Sequence, residues 1–255
     1  MPIDSVNNSA SNKDLLEKPR AILLDMDDTI IVDDPVSEKS WRTVCRRFAP
    51  RVGIDDPDAL YAAIKASSRD FWRDHNNHRQ GRLDLRSARR DVVVRAFAGL
   101  GLKADSTAVE LADAFSVEKD RAIAPLPGAL ETLQLFKERG LPLALITNGA
   151  SDIQREKIRR FDLARFFDTI LIEGEFGVGK PDERVFRAAL DRLNVPASHA
   201  WMVGDDLDRD IAGAKNAGVR SIWVDWRGRG VPQTASVRPD CIIESLSRLS
   251  GLFID

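Results

Sequence analysis

The chain has 255 residues, 43% hydrophobic and 31% charged, enough for one sizeable core and a smaller satellite domain. A formal net charge of −2 gives no global field for nucleic acid or an anionic membrane, and no apolar run is long enough to span a bilayer. The two cysteines, Cys45 and Cys241, lack metal-ligand spacing and read as reduced, packed thiols of a cytoplasmic protein rather than a disulfide.

Residues 1–19 are polar, rich in Ser and Asn, and without an apolar signal segment, so they read as a flexible tail. A continuously apolar run, AILLD at 21–25, then predicts a strand buried on both faces. It runs directly into acid: LLDMDDTIIVDD at 23–34 carries Asp25, Asp27, Asp28, Asp33 and Asp34. Either this is a solvated acidic turn or the carboxylates share a cation.

From about 36 to 121 strand texture disappears. Helical patterns lie around 40–48, 58–74, 85–100 and 107–119, separated by the turn signals VGIDDPD, NNHRQGR and GLGLKADS. The last helix opens on Thr107-x-x-Glu110, the spacing of a capping box. This segment predicts a helical insert, 36–121, dividing a core made of 20–35 and 122–255.

Beyond the insert the strand runs return as LALIT (143–147), TILIE (169–173), AWMVGD (200–205) and SIWVD (221–225). A helix follows Pro181, with Val185, Phe186, Ala189, Leu190 and Leu193 at helical spacing, and another spans 208–217 and stops at Gly218. DCII at 240–243 adds an edge strand before a last helix near 244–249. Strand–helix alternation predicts an α/β fold, a Rossmann-like parallel sheet with helices on both faces.

Every major expected strand ends in a polar residue: Asp25, Thr147, Glu173, Asp205 and Asp225. Open parallel sheets bind ligands beyond the carboxyl ends of their strands. Asp25 and Asp27 past one strand, with Asp205, Asp206, Asp208 and Asp210 past another, supply hard oxygen ligands suited to Mg²⁺. ITNGAS at 146–151 puts the Thr147 hydroxyl, Asn148 and Gly149 at a strand-to-helix junction whose N–H groups favour anions. Lys180, just before a Pro-started helix, adds a fixed cation suited to a phosphoryl group.

The ordered set Asp25-x-Asp27-x-Thr29, Thr147-Asn148-Gly149, Lys180-Pro181 and Gly204-Asp205-x-x-x-x-Asp210 resembles the haloacid dehalogenase-like superfamily, in its phosphatase branch with a helical cap. GVGKPDERVF and MVGDDLDRDIAGAKNAGV are similar to phosphatases of the N-acylneuraminate-9-phosphatase and pyrimidine-nucleotidase type. The resemblance implies that Asp25 is the nucleophile, forming an aspartyl-phosphate, and that Asp27 is the acid and base. It implies Mg²⁺ held by Asp25, Asp205 and the Asp27 main-chain carbonyl. Thr147, the Asn148 backbone and Lys180 would hold the phosphoryl oxygens, with Gly149 in support. Asp210 would orient Lys180 or metal-bound water, and Thr29 would fix the loop. Asp28 and Asp206 depart from the residue types common in the family and are expected to add outer charge around the metal. An aspartate at 27 argues against the dehalogenase branch, which needs no acid there.

Within the insert, His78, Arg79 and Arg82 are candidates to meet a polar or anionic substrate, against the commoner reading of a solvated basic loop. Phe71 and Trp72 read as core, His199 as structural, and the loop WRGRGVP (226–232) as a possible border of the pocket. The expected function is a Mg²⁺-dependent phosphatase for a small phosphorylated metabolite such as a sugar phosphate or nucleotide, acting as monomer or homodimer without nucleic acid or membrane. A sugar phosphomutase and a non-catalytic phospho-ligand binding protein are the alternatives.

Overall fold

The computed structural model describes residues 18–252, so the expected tail lies, through residue 17, outside the described residues. In chain order the elements are β1 (Ala21–Leu24), α1 (Asp34–Phe48), α2 (Pro57–Arg73), α3 (His75–Leu83), α4 (Leu85–Gly99), α5 (Ser106–Ala122), α6 (Ala129–Glu138), β2 (Leu143–Thr147), α7 (Ser151–Arg160), β3 (Thr169–Ile172), α8 (Glu173–Phe176), α9 (Glu183–Leu193), β4 (Ala200–Gly204), α10 (Ala212–Asn216), β5 (Arg220–Val224) and β6 (Cys241–Ile243). The strands form one parallel sheet in the order β3-β2-β1-β4-β5-β6. All six expected strands are present, and the predicted α/β class holds.

The order places β1 between β2 and β4, where the direction of winding reverses. This is the point at which an open α/β sheet offers a crevice beyond its strand ends. Leu24 pairs with Leu145 on one side and Val203 on the other, so the chain segments that follow β1, β2 and β4 emerge side by side.

Continuous apolarity in these strands has a direct cause: both faces are covered. On one face Ile22, Leu24, Leu145, Val203 and Ile222 pack with Leu133 and Phe136 of α6. On the other, Leu23, Ile146 and Met202 pack with Val185, Phe186, Ala189 and Leu190 of α9. A third apolar cluster is drawn from α1, α2, α4 and α5, including Phe48, Leu60, Ile64, Phe97, Leu111 and Phe115. The helices α1 to α5 thus bury their apolar faces largely on one another. They run from Asp34 to Ala122, slightly beyond the expected 36–121.

Several local expectations are corrected. NNHRQGR, read as a turn signal, belongs to the helix α3. Its Gly and Asn lower helix propensity, but packing overrides it: a Cβ at Gly81 would meet the Trp72 ring at 2.9 Å, so only glycine lets the helix come this close. Thr107 is not the cap of α5. Asp105 is, accepting from Thr107 N at 2.8 Å, while Glu110 turns to Arg51 at 2.6 Å. The helix expected over 208–217 is divided into a wide π turn at Leu207–Ile211 and α10. Among the described residues no helix is long and apolar enough to cross a membrane.

Candidate active site

Asp25 follows β1 directly and stays aligned with it through its own N–H, which donates to Val203 O at 3.0 Å. The chain then turns sharply. Asp28 adopts a left-handed φ of 57°, which aspartate tolerates better than most side chains. Its carboxylate accepts from Asp33 N at 2.8 Å and Asp34 N at 3.0 Å, so it closes the loop and faces the N-terminus of α1. Burial pushes Asp28 up to about 6, although those two amides favour its charged form. Asp28 therefore does more than the outer charge expected of it: it shapes the loop that follows Asp25. Thr29, 1% exposed, holds its hydroxyl 3.5 Å from Asp25 Oδ2, at the outer limit of a hydrogen bond.

Three carboxylates converge here. Asp25, Asp205 and Asp210 each offer an oxygen within 4.8 Å of the others. Lys180 Nζ donates to Asp25 Oδ1 and lies 2.7 Å from Asp210 Oδ1, the latter an ion pair off hydrogen-bonding angle. Gly204 makes this possible, because the Asp210 carboxylate occupies the space a Cβ at 204 would need. Asp206 N donates to Asp210 Oδ2 at 3.0 Å. The Asp206 side chain caps the π turn instead, accepting from Asp208 N and Arg209 N at 2.9 and 2.8 Å. It thus adds the outer charge expected of it, felt by Asp205 and Asp210, while capping the turn that carries Asp210.

One ammonium does not balance this much acid. Burial first, then Asp210 and Asp27, raise Asp25 to about 7 against the pull of Lys180. Burial and the neighbouring Asp25, Asp210, Asp28 and Asp206 raise Asp205 to about 10. Burial opposes the charge on Lys180, yet Asp210 and Asp25 hold it above its ordinary range. An all-oxygen donor set with surplus negative charge fits a hard divalent cation, and Asp25 and Asp205 are both among the expected ligands.

The Asp27 carboxylate belongs to a second network. It accepts from Lys157 Nζ at 2.7 Å and Gln154 Nε2 at 3.0 Å. Gln154, 2% exposed, also stands 2.6 Å from Thr147 Oγ1 and 2.9 Å from Asn148 O, more acceptors than its two N–H can serve at once. Lys157 reaches Asp33 as well, at 3.4 Å, and Lys119 of α5 closes on Asp33 at 2.7 Å. Burial disfavours charge on Asp33, but Lys119 and Lys157 together hold it well below the usual carboxylate range. Sequence reading missed Gln154, Lys157 and Lys119, and named Asp33 only as part of the acidic run, not as the partner of two lysines. Their spacing puts 154 and 157 on one face of a helix after the Thr147 junction, but does not say that this face turns inward.

Asn148 clamps Lys180 from both sides: its Oδ1 accepts from Lys180 N and its Nδ2 donates to Lys180 O, each at 2.8 Å. Its side chain thus fixes the lysine. Gly149, φ 121°, donates its N–H to Glu173 Oε2 at 3.0 Å. Glu173 is buried, and Arg82 grips it with two hydrogen bonds of 2.8 and 3.2 Å. Arg82 also contacts His78 Nδ1 at 2.6 Å, and Arg79 donates to Gly177 O at 3.0 Å. The three insert candidates thus lie where α3 meets α8.

A cavity of about 570 Å³ lies between the strand ends and the helical insert. The sheet side contributes Asp25, Asp27, Thr147, Asn148, Lys180 and Asp205; the insert contributes Trp41, Trp72, His78, Arg82, Arg89 and Phe115. Arg79 is not in its wall, nor is the loop 226–232, which folds back on Asp225 through Arg229 N and Gly230 N at 3.1 and 2.7 Å. Trp72 packs against the core of the insert, as expected, and also borders the cavity, while Phe71 is buried as expected. His199 lies outside it, and its main-chain carbonyl accepts from Arg20 N at 2.7 Å. Cys45 and Cys241 are free thiols, and burial pushes Cys45 up to about 12.

The family model for the haloacid dehalogenase-like hydrolases matches residues 19–218. A phosphoserine phosphatase of Thermus thermophilus is 35% identical over 252 residues, covering 89% of this chain and 96% of that protein. The pyrimidine 5'-nucleotidase YjjG of Escherichia coli is 30% identical over 189 residues, 74% of this chain and 80% of that one. In fold, the magnesium-bound crystal structure of the HAD-hydrolase YfnB of Bacillus subtilis matches with a TM-score of 0.70 at 22% identity, over 94% of this chain and 100% of that one. With the ordered motifs at one sheet edge and this match across most of its length, the chain belongs to the haloacid dehalogenase-like hydrolase family, among relatives that are phosphatases.

Proposed function

We propose that the protein is a Mg²⁺-dependent phosphatase that hydrolyses a small soluble phosphomonoester through an aspartyl-phosphate on Asp25. The observation that carries this reading is the convergence of Asp25, Asp205 and Asp210, oxygens within 4.8 Å of one another, at the floor of a cavity where a buried lysine pairs with Asp25 and Asp210. Asp25 attacks phosphorus and the leaving oxygen takes a proton from Asp27; water, deprotonated by Asp27, then cleaves the acyl phosphate and restores Asp25. The Thr147 hydroxyl, the Asn148 main-chain N–H and Lys180 meet the phosphoryl oxygens, so that charge in the transition state faces fixed donors. Asp25, Asp205 and the Asp27 carbonyl would hold Mg²⁺, which when bound neutralises charge between the nucleophile and the phosphoryl group.

In this reading the helices α1 to α5 act as a cap over the cavity, excluding water and admitting the leaving group. Arg82, His78 and Arg79 influence selection by holding the cap on α8, through the Arg82–Glu173 pair above all. The named relatives act on phosphoserine and on nucleotides, which supports a small phosphorylated metabolite as substrate, with no nucleic acid or membrane involved. Two free thiols fit a cytoplasmic location. The test is phosphate release across sugar phosphates, nucleotides and phosphorylated acids, with Mg²⁺ and with excess chelator. Release that requires Mg²⁺ is expected. Full activity in chelator contradicts the metal, and isomerised sugar phosphate in place of free phosphate contradicts hydrolysis.

A further inference from the structure

The cap wall of the cavity carries a guanidinium with no carboxylate partner. Arg89, on α4, points its Nη1 at Ser116 Oγ, 2.9 Å away on α5. That hydroxyl in turn donates to Ala112 O at 3.1 Å, so it is an acceptor toward the arginine. The Arg89 Cζ stands 5.1 Å from the centroid of Phe115, and Phe115 stacks on Trp41 with centroids 3.6 Å apart and planes 5° from parallel. Arg89, Phe115 and Trp41 all line the cavity that holds Asp25.

Every other arginine or lysine lining that cavity is ion-paired: Arg82 with Glu173, Lys119 with Asp33, Lys157 with Asp27 and Asp33, Lys180 with Asp25 and Asp210, and Arg209 with Asp206. Among the described residues none of the ion pairs includes Arg89. Burial holds its pKa below the ordinary arginine value, with Asp120 and Asp33 offsetting only part of that effect. A guanidinium stays charged regardless, and it has five N–H donors in a fork that matches a planar or tetrahedral oxyanion. A largely desolvated charge without a counter-ion favours a ligand that brings one.

We propose that Arg89 binds a second anionic group of the substrate, a carboxylate or another phosphoryl group carried on the leaving-group side, with the Phe115–Trp41 stack as the apolar wall beside it. This rests on the phosphatase reading of the same cavity. The resulting substrate class is a phosphomonoester with a second negative charge, in preference to its neutral or cationic counterpart.

The test measures kcat/KM of the Mg²⁺-loaded full-length enzyme on 4-nitrophenyl phosphate and on two matched pairs. O-phosphoserine against O-phosphoethanolamine isolates a carboxylate; a pentose bisphosphate against the same pentose monophosphate isolates a second phosphoryl group. In the wild-type enzyme one pair favours its more anionic member by about 10- to 100-fold. Which pair does so identifies the anion. Arg89→Met keeps the apolar stem over Phe115 and should bring that ratio close to one, and Arg89→Lys should recover part of it. Hydrolysis of 4-nitrophenyl phosphate with no preference in either pair overturns the assignment of Arg89 while leaving the phosphatase reading intact. An Arg89→Met loss that is equal for both members of a pair shows a structural role and also overturns it. No phosphate release from any substrate overturns both readings.

Discussion

The two walls of the cavity are built on opposite principles. On the sheet side, charge is crowded: three carboxylates offer oxygens within 4.8 Å of one another, one lysine pairs with two of them, and burial lifts Asp25 and Asp205 far above their ordinary values. On the cap side, charge is dispersed among aromatic rings, and the cations are satisfied singly by distant acids, except Arg89. Crowded like charge is unstable without a cation and an electrophile, so the sheet side is organised for chemistry. Paired charge and stacked rings are stable as they stand, so the cap side is organised to fit a shape.

The largest effect that follows is on the sheet side. Asp25→Asn should lower phosphate release by at least about 10⁴-fold, since an amide cannot attack phosphorus. Substantial turnover by that variant would remove the reason for separating the two walls. Asp27→Asn comes next. A good leaving group needs no proton donor, so 4-nitrophenyl phosphate should give a burst of nitrophenol followed by a steady rate reduced about 10²- to 10⁴-fold. A steady rate close to the wild type in stopped-flow assays would show that Asp27, paired with Lys157 and Gln154, has no part in hydrolysis.

On the cap side the expected losses are in stability and fit. Arg82→Ala leaves Glu173, 3% exposed, without its bidentate partner, and should cost about 2–4 kcal/mol in chemical denaturation. Substrate preference should shift with it as the cap loosens on α8. Arg79→Ala removes one exposed hydrogen bond to Gly177 and should cost under about 1 kcal/mol. Equal costs for the two variants would blur the distinction between a buried latch and a surface contact.

Proton linkage gives the smallest and most specific expectation. Asp25, with an ordinary value of 3.8, stands at about 7 in the folded protein, and Asp205 at about 10. Because the folded state binds these protons more tightly than the unfolded chain, metal-free stability is favoured below about pH 4. It declines as pH rises through 7 toward 10. Mg²⁺ competes with the same protons, so the rise in Tm that it produces should grow by a few degrees over that range. Thermal melts with and without Mg²⁺ at several pH values check the sign; a rise independent of pH would mean the ion binds elsewhere.

How much was legible differs between the walls for the same physical reason. Strands buried on both faces must be apolar throughout, so AILL, LALIT and AWMVG declare themselves, and the polar residue that ends each one marks the sheet edge. Asp25, Thr147 and Asp205 could therefore be named together from the strand ends, while Lys180 and Asp210 come from the motifs that follow those ends in order. Charged residues on helices are usually solvated, so nothing local marks Arg89 or Lys157 as turned inward. The helix α7, SDIQREKIRR, has too few apolar residues to form a stripe, and only its packing reveals Gln154 and Lys157 beside Asp27. The helix α3 looked like a turn because its Gly81 is there for contact with Trp72.

The central claim is that Asp25 forms a covalent bond to the transferred phosphoryl group. Rapid quench of the wild-type and Asp27→Asn enzymes with ³²P-labelled substrate, followed by mapping of the labelled peptide by mass spectrometry, tests it directly. The account predicts acid-stable, hydroxylamine-labile label on the peptide containing Asp25, at higher occupancy in Asp27→Asn and absent in Asp25→Asn. Label on any other residue, or none during active turnover, would contradict it.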